Sequence, residues 1–559
     1  MTENKKNTLS RSANNMSRMT SHWTVMRLVL LFALIALLVH LINPRHRIWY
    51  NAELVALDDA GTTASAVSWR RGVIEAIGND SEVLANKRWY TRVRDMQQQI
   101  VFPGLIDVHS HFPAVGVEEI TVDIASPPLG TVESLEQLYE RIAAAANQSE
   151  EEEWVIGFNY DQSSLREGQH PTLVELDRIA PEHPVYVYHS SGHMGVANSA
   201  GLKKLGVSPA DNPTGLLQEA AAPSMGRLLS DIGPVKQWKI YQAARQSYLA
   251  AGITTVNSGA ASSALTKGLR LASAVGLIPL RVVVNSLVQD DLPGFRFDSD
   301  IYTSGATKVI VDGSPQGFTA LLSQRFYNPP NLLHVHGNQL VSAKDLNALV
   351  QRHADAGLQL ALHGNGDAAI DLILDAVEAA GLDSTKDHRS IVIHAQTARR
   401  DQVARMARLG VVPSFFVSHV YYWGDWHSER VLGPEKAQHI SPTGWAKEEG
   451  LRFSLHTDSP VTPVNLFAVL QYAAERRSFS GRSLGPEHRL DVASALRAVT
   501  LDAAWQHFLE DKVGSIEVGK FADLIVLSRN PLEVPISELA TIKVLTTVID
   551  GEVEYMLQE

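Results

Sequence analysis

Two histidines stand one residue apart where a hydrophobic run ends, and their side chains could bind one metal ion together. The run beginning at Phe102, FPGLIDV, is typical of a buried strand, and His109 and His111 follow its apolar part. Alternate side chains of a strand share a face, so both imidazoles should project together from the strand's carboxyl end. Imidazole nitrogens are common ligands of zinc and similar divalent ions. The spacing therefore predicts a metal site here.

Histidine, lysine and aspartate side chains also occur at the ends of several later segments whose apolar pattern predicts buried strands. The segments are TKVIVDG, with Lys308 and Asp312; LQLALHG, with His363; SIVIHA, with His394; and LRFSLHTDSP, with His456 and Asp458. The carboxyl ends of parallel barrel strands meet at one rim, which is where barrel active sites lie. We therefore expect these side chains to converge on one divalent-metal centre.

The elements that must position these residues alternate between strands and helices. Strands are predicted near 101–108, 253–257, 280–285, 307–312, 359–363, 391–394, 411–415 and 452–456, with helices such as 344–356, 367–380 and 398–409 between most of them. Strands with apolar flanks separated by helices indicate parallel pairing, and eight such units predict a closed (β/α)8 barrel. The stretch 113–250 holds strands of its own and is predicted to be an insertion over the barrel mouth.

Short strand-like segments also occur at both ends of the chain. Residues 48–100 and the segments DLIVL, KVLTTVID and GEVEYML near the carboxyl end are punctuated by turns. Chain ends often lie close together, so these segments are predicted to form one small sheet domain.

The first 50 residues differ from the rest. An unbroken apolar run, LVLLFALIALLV, fills residues 28–39 between Arg27 and Pro44, and no small residues of a cleavage site follow it. We predict an uncleaved transmembrane anchor over 27–43, in preference to a cleaved signal peptide or a buried helix. More basic residues precede the run than follow it, which predicts a cytoplasmic tail over 1–26 and a catalytic part on the periplasmic, extracytoplasmic side.

Composition narrows the class of protein. A net charge of −12 over 559 residues, without a basic block, argues against nucleic acid as a partner. The chain has no cysteine, which excludes disulfides and a thiolate nucleophile. A small-molecule substrate is the expected partner, and an oligomer is compatible with these features.

The motifs together resemble the amidohydrolase superfamily, and most closely its amidohydrolase-3 branch of N-substituted formamide deformylase-like enzymes. The resemblance is carried by FPGLIDVHSH, HGNGDAAID, IVIHA, SLHTDSP and GSIEVGKFADLIVL, with SSGHMGVANSAGL and VDGSPQGFTALL typical of the branch. It implies a distorted (β/α)8 TIM barrel over 101–505 and a small β-sandwich built from 44–100 and 506–559.

The resemblance also implies roles for individual residues. His109 and His111 would bind one metal ion, and His363 and His394 would bind a second, with zinc as the expected metal. Lys308 lies where some members carry a carboxylated lysine that bridges two metals; otherwise it would pair with Asp312 or Asp458. Asp458 would act as general base and then acid beside the activated water, and His193 would hydrogen-bond the substrate carbonyl.

The expected reaction is metal-dependent hydrolysis of a non-peptide carbon–nitrogen bond in an N-acyl or N-formyl amide. Deamination or ester hydrolysis on the same site, and a catalytically silent binding barrel, are alternatives. Asp107 and Asp367 are candidates for holding the metal ligands, Asp367 also for capping a helix. Gly364, Gly366 and Ala369 formally match a dinucleotide fingerprint, but the preceding histidine and the position fifth in the barrel argue against it.

Overall fold

The computed structural model describes Leu31 and residues 45–150, 152–229, 232–288, 298–329 and 335–558. Within these residues, eight parallel strands form one sheet whose order follows the chain. They are β1 (Leu105–Asp107), β2 (Ile253–Ala261), β3 (Arg281–Leu287), β4 (Tyr302–Ile310), β5 (Leu360–Gly364), β6 (Ile391–His394), β7 (Val412–Phe415) and β8 (Ser454–Leu455).

The two edges of this sheet meet just beyond β1 and β8. The backbone N–H of Asp458 donates to the carbonyl of His109 at 3.0 Å, and the N–H of His111 donates to the carbonyl of Ser459 at 2.8 Å. These bonds bring the first and last strands together at their carboxyl ends. The eight strands therefore form a nearly closed barrel, consistent with the predicted (β/α)8 barrel, and β4 begins five residues earlier than expected.

Helices cover the outside of the barrel, and the helix that follows β5 shows the apolar face by which it packs. In the helix Asp367–Ala379, the buried residues Ala369, Ile370, Ile373, Leu374 and Val377 follow the spacing of a single helical stripe. All residues of β5 and β6 are buried, as expected for strands enclosed on both sides. The other principal helices around the barrel are Pro234–Ala250, Ser263–Ala274, Ala343–Asp355, Arg400–Leu409, Ser418–Trp426, Thr443–Glu448, Leu466–Glu475, Val492–Ala498 and Leu501–Gln506.

The segment between β1 and β2 forms a sheet of its own. Its five strands are Val122–Asp123, Val155–Tyr160, Val185–His189, Met194–Ala197 and Leu216–Gln218. Its helices include Leu135–Ala146, Leu173–Ile179 and Ser199–Lys204. A separate apolar cluster, with Leu138, Ile142 and Leu176 among its members, packs against these strands. The segment thus carries a core independent of the barrel.

Two further sheets are formed near the ends of the described chain, the first from its N-terminal part alone and the second from both ends. A four-stranded sheet contains His46–Tyr50, Ala66–Arg70, Val73–Gly78 and Arg92–Asp95. A six-stranded sheet contains Glu53–Val55, Thr63–Ala64, Ile100–Pro103, Leu524–Leu527, Val544–Ile549 and Glu552–Met556. Pairing of Phe102 with Ile525 joins the two chain ends directly. A common apolar cluster that includes Trp49, Trp69 and Leu524 packs between strands of both sheets.

The prediction of a transmembrane helix over 27–43 is corrected. That segment, apart from Leu31, and the predicted tail 1–26 lie outside the described residues, and among those described no helix is long and apolar enough to cross a membrane. The predictions of a membrane partner and of an extracytoplasmic location depended on that anchor and are therefore not supported either.

Candidate metal centre

The loop after β1 and the loop after β8 bring three metal-binding side chains together. Nε2 of His109 lies 3.4 Å from Asp458 Oδ1, and Nε2 of His111 lies 3.2 Å from the same oxygen. Asp458 Oδ1 is buried without a hydrogen bond of regular geometry. One donor atom from each residue lies within 4.8 Å of the others. Two imidazoles and a buried, unsatisfied carboxylate oxygen fit a divalent metal ion.

The backbone at this rim is held in an uncommon conformation. His394 has φ +73° and Asp458 has φ +54°, in the left-handed region that residues with a Cβ rarely adopt. Such conformations persist where the surrounding structure enforces them, and they cluster at functional sites. At Asp458, the N–H bond to His109 is part of that enforcement.

His363 and His394 lie beside the first pair of histidines. Their ring centroids are 4.7 Å apart, and the ring of His394 is 5.5 Å from that of His109. Burial lowers the pKa of all three imidazoles well below the usual value, with the Lys308 charge acting in the same direction. The rings are therefore neutral at pH 7, and a neutral ring keeps a nitrogen lone pair for a metal.

Asp312 holds His363 in place. Its carboxylate accepts from His363 Nδ1 at 3.2 Å and from the backbone N–H groups of Leu321, Asn365 and Gly366 at 2.8–3.0 Å. Burial dominates and raises the pKa of Asp312 to about 7, although the hydrogen bonds from the three backbone N–H groups partly oppose this rise. With Nδ1 facing the carboxylate, Nε2 of His363 is the nitrogen that could bind a metal, which is the usual arrangement around ligating histidines. In this structure Nε2 lies 3.3 Å from the amide nitrogen of Asn365.

Lys308 of β4 is buried among the histidines. Its Nζ lies 3.5 Å from His109 Nε2, and burial lowers the pKa of its ammonium to about 8 although Asp458 raises it. A lysine with a lowered pKa offers a neutral amine at modest cost. Asp312, one of the two partners predicted for an unmodified Lys308, is instead bonded to His363.

The charge on Asp458 is stabilised by its neighbours. Burial by itself raises the pKa of this carboxyl, but the close approach of His111 at 3.2 Å, together with the charges of His456 and Lys308, holds its pKa below the usual value. Asp458 is therefore an ionised carboxylate at neutral pH, which is the form that can accept a proton.

His456 also lies in the cluster of imidazoles. Its Nε2 is 3.3 Å from His394 Nδ1, and its Nδ1 is 2.8 Å from the hydroxyl of Ser414. The ring of Phe416 stacks on it at 5.4 Å. The aromatic segment 415–427 therefore borders the centre through Phe416.

The insertion supplies His193, whose ring centroid is 5.3 Å from that of His363. Its Nδ1 lies 2.9 Å from Oε2 of the largely buried Glu219, and this carboxylate helps to raise the pKa of His193 against the effect of burial. Sequence reasoning missed Glu219, because nothing in the surrounding LLQEAA marks a partner 26 residues away.

Two other predicted supporting residues have different roles. Asp107 accepts from the hydroxyl of Thr457 at 2.6 Å and so ties β1 to the segment after β8 rather than holding a histidine. Asp367 lies inside its helix, where Gly366 is the capping position, and it accepts from the N–H of Ser323 at 2.9 Å. The capping interpretation of Asp367 is therefore wrong.

The glycines of the formal dinucleotide fingerprint have a packing role. A Cβ at Gly366 would lie 1.9 Å from the carbonyl oxygen of Leu321, so only glycine fits there. The N–H of Gly366 is already bonded to Asp312. The capping residue of this helix therefore donates a hydrogen bond to the Asp312 carboxylate, which in turn orients His363.

Known proteins share both the sequence pattern and the fold. A profile of the amidohydrolase family matches residues 92–555. N-substituted formamide deformylase from Arthrobacter pascens is 28% identical over 546 residues, covering 90% of this chain and 97% of that protein. Protein LONG AFTER FAR-RED 3 from Arabidopsis thaliana is 26% identical over 539 residues, covering 90% of this chain and 91% of that protein.

A metal-dependent hydrolase of uncharacterised function from Pyrococcus horikoshii has a related structure. It superposes with a TM-score of 0.71 at 23% identity, covering 88% of this chain and 99% of that one, which shows a common fold. The family profile spans most of the chain, including both ends of the barrel. The resemblance seen in the sequence is confirmed: this chain belongs to the amidohydrolase family and is a hydrolase.

Proposed function

We propose that this hydrolase cleaves a non-peptide carbon–nitrogen bond in an N-acyl or N-formyl amine, using a divalent metal. The observation that carries the proposal is the meeting of His109 and His111 with Asp458, from opposite edges of the barrel sheet. The name of the Arthrobacter pascens relative, an N-substituted formamide deformylase, supports this substrate class.

The residues available for the metal divide into two groups. His109 and His111, with Asp458, would hold one ion; His363 and His394 would hold a second. Imidazole-rich sites suit zinc, which we therefore propose as the metal. A bound divalent cation supplies Lewis acidity, which lowers the pKa of a water ligand from about 15.7 to about 7 and polarises a carbonyl.

Lys308 is proposed to be carboxylated, with the carbamate oxygens between the two groups of histidines. Support comes from its position beside His109 and its lowered pKa, because carbamate formation requires the neutral amine. A protein labelled with 13C-bicarbonate should show a carbamate resonance that is absent in Lys308→Met. The same spectrum from both proteins would remove the modification from the proposal.

Asp458 is proposed to move the proton. Its ionised carboxylate accepts a proton from the attacking water and then delivers it to the leaving nitrogen. An amide needs this second transfer because an unprotonated amine anion leaves poorly. His193 would act as an imidazolium, the form that Glu219 favours by helping to raise its pKa: Nδ1–H donates to Glu219, and Nε2–H donates to the carbonyl oxygen as negative charge develops on it.

The test combines metal analysis with a substrate screen. Purified protein loaded with zinc is assayed on N-formyl and N-acyl amines, on exocyclic amines for deamination, and on matched esters. We expect turnover of the amides and, for Asp458→Asn, a loss of kcat of about 10²–10⁴-fold with metal content retained. Asp375→Asn, an exposed carboxylate on the outer face, is the matched control.

Each other outcome has a definite meaning. Turnover of only amines or esters would place the reaction in another class of hydrolysis. Metal binding without turnover of any class would favour the silent binding barrel. Full activity in Asp458→Asn would remove this carboxylate from the mechanism.

A further inference from the structure

A second group of metal-binding side chains lies outside the barrel centre. It consists of His439, at the end of the short helix Lys436–His439, and of Glu487 and His488, in the short helix Pro486–His488. We propose that these three residues form a second zinc site, distinct from the catalytic centre.

The three donor atoms have the spacing that zinc requires. Nδ1 of His439 is 3.1 Å from Nε2 of His488 and 3.3 Å from Oε1 of Glu487, and the last two atoms are 3.8 Å apart. Zinc–nitrogen and zinc–oxygen bonds of about 2.1 Å in a tetrahedron place ligand atoms about 3.4 Å from one another. The observed triangle matches that edge length on average.

The position left for the ion also fits tetrahedral coordination. A point about 2.1 Å from all three atoms lies about 0.7 Å out of their plane, which is the offset of a tetrahedral ion from any three of its ligands. The side chains of His439 and Glu487 are partly exposed, so a water can occupy the fourth position. Two imidazoles, one carboxylate and one water are a common zinc ligand set.

Aromatic packing fixes the two imidazoles before any ion binds. The ring of His439 stacks on Trp445 at 4.8 Å with an interplanar angle of 25°, and the same indole packs edge-on against His488 at 4.8 Å. The side chain of His488 is fully buried, and its carbonyl accepts from the hydroxyl of Thr443 at 2.5 Å. A site with ordered ligands loses little conformational entropy when it binds the ion.

The site joins two segments that pack on the rim of the barrel. Close to His439 in the chain, the N–H of Ser441 donates to the carbonyl of Gln396 at 2.7 Å, and its hydroxyl donates to that of Phe416 at 3.3 Å. The buried Arg476 donates to the carbonyls of Ile440, Ser441 and Leu484. Zinc should therefore cross-link these two segments and raise the free energy of unfolding, without taking part in the reaction.

The test uses the full chain, dialysed against zinc, with the bound metal measured per protein. Wild type should bind one equivalent more than His439→Ala, and Glu487→Gln should bind the additional ion about 10-fold more weakly. Glu435→Gln, an exposed carboxylate in the adjacent turn, should match wild type. Hydrolytic activity should be the same in all four proteins.

A second readout is independent of the metal in the catalytic centre. Added zinc should raise the thermal midpoint of wild type further than that of His439→Ala; His439→Gln serves if the alanine variant does not fold. Equal zinc content and equal midpoint shifts in wild type and variant would overturn the proposal, leaving a hydrogen bond between the two imidazoles as the whole interaction.

Discussion

Replacing Asp312 by asparagine should weaken both the fold and the metal centre. The side chain is fully buried and accepts hydrogen bonds on both oxygens. Oδ1 accepts from His363 Nδ1 and the N–H of Asn365, while Oδ2 accepts from the N–H groups of Leu321 and Gly366. The ionised carboxylate of Asp312 has only acceptor atoms, and it therefore satisfies all four of these donors.

An asparagine amide can satisfy only two of these four donors. In one orientation its NH2 faces the two backbone N–H groups at Oδ2, and in the other it faces His363. A buried donor without a partner costs about 1–3 kcal/mol, so the variant should lose about 2–6 kcal/mol of unfolding free energy. If His363 binds a metal as proposed, loss of the carboxylate behind it should also weaken metal binding about 10–100-fold.

The assay is urea unfolding followed by tryptophan fluorescence, in the presence of a chelator so that metal binding does not contribute. Zinc affinity is then measured separately by titration. Asp375→Asn is the control, because its exposed ion pair with Arg405 should contribute no more than about 1 kcal/mol. If Asp312→Asn changes the unfolding free energy by less than the control and binds zinc as wild type does, the assigned role of Asp312 is wrong.

Three further changes have expected outcomes. Glu219→Ala frees His193 and should lower kcat about 10²–10³-fold with metal content unchanged; unchanged kcat would contradict its orienting role. Arg281→Met leaves the buried Asp523, now bound through two hydrogen bonds of 2.6 and 3.0 Å, without its partner and should cost about 3–5 kcal/mol in urea unfolding; a loss below 1 kcal/mol would refute this. Removing the metal with a chelator should abolish turnover and lower the unfolding free energy by about 2.7 kcal/mol relative to protein in zinc at 100 times its Kd; activity that survives complete removal would exclude the proposed chemistry.

The prediction of a membrane anchor depended on a local pattern alone. Hydropathy and flanking charge predicted a membrane anchor over 27–43, but those signals record composition and not the presence of a helix long enough to span. The finding that no helix among the described residues could cross a membrane removes the support for that prediction.

The sequence by itself determined the barrel, its strand order and the histidines at the strand ends. Burial on both faces leaves continuous apolar runs, and such runs and the polar residues that end them are local features of the chain. His363 and His394 could therefore be predicted to share a rim with His109 without any knowledge of distances.

Only the tertiary structure decided how those side chains are oriented. Asp107 meets Thr457 across 350 positions of sequence, and His193 of the insertion meets Glu219 beside the barrel mouth. Such hydrogen bonds leave no periodic trace in the sequence, because they depend on where separate elements pack and not on the alternation within one element. The positions of the rim side chains followed from strand geometry, whereas their orientation followed from contacts that exist only after folding.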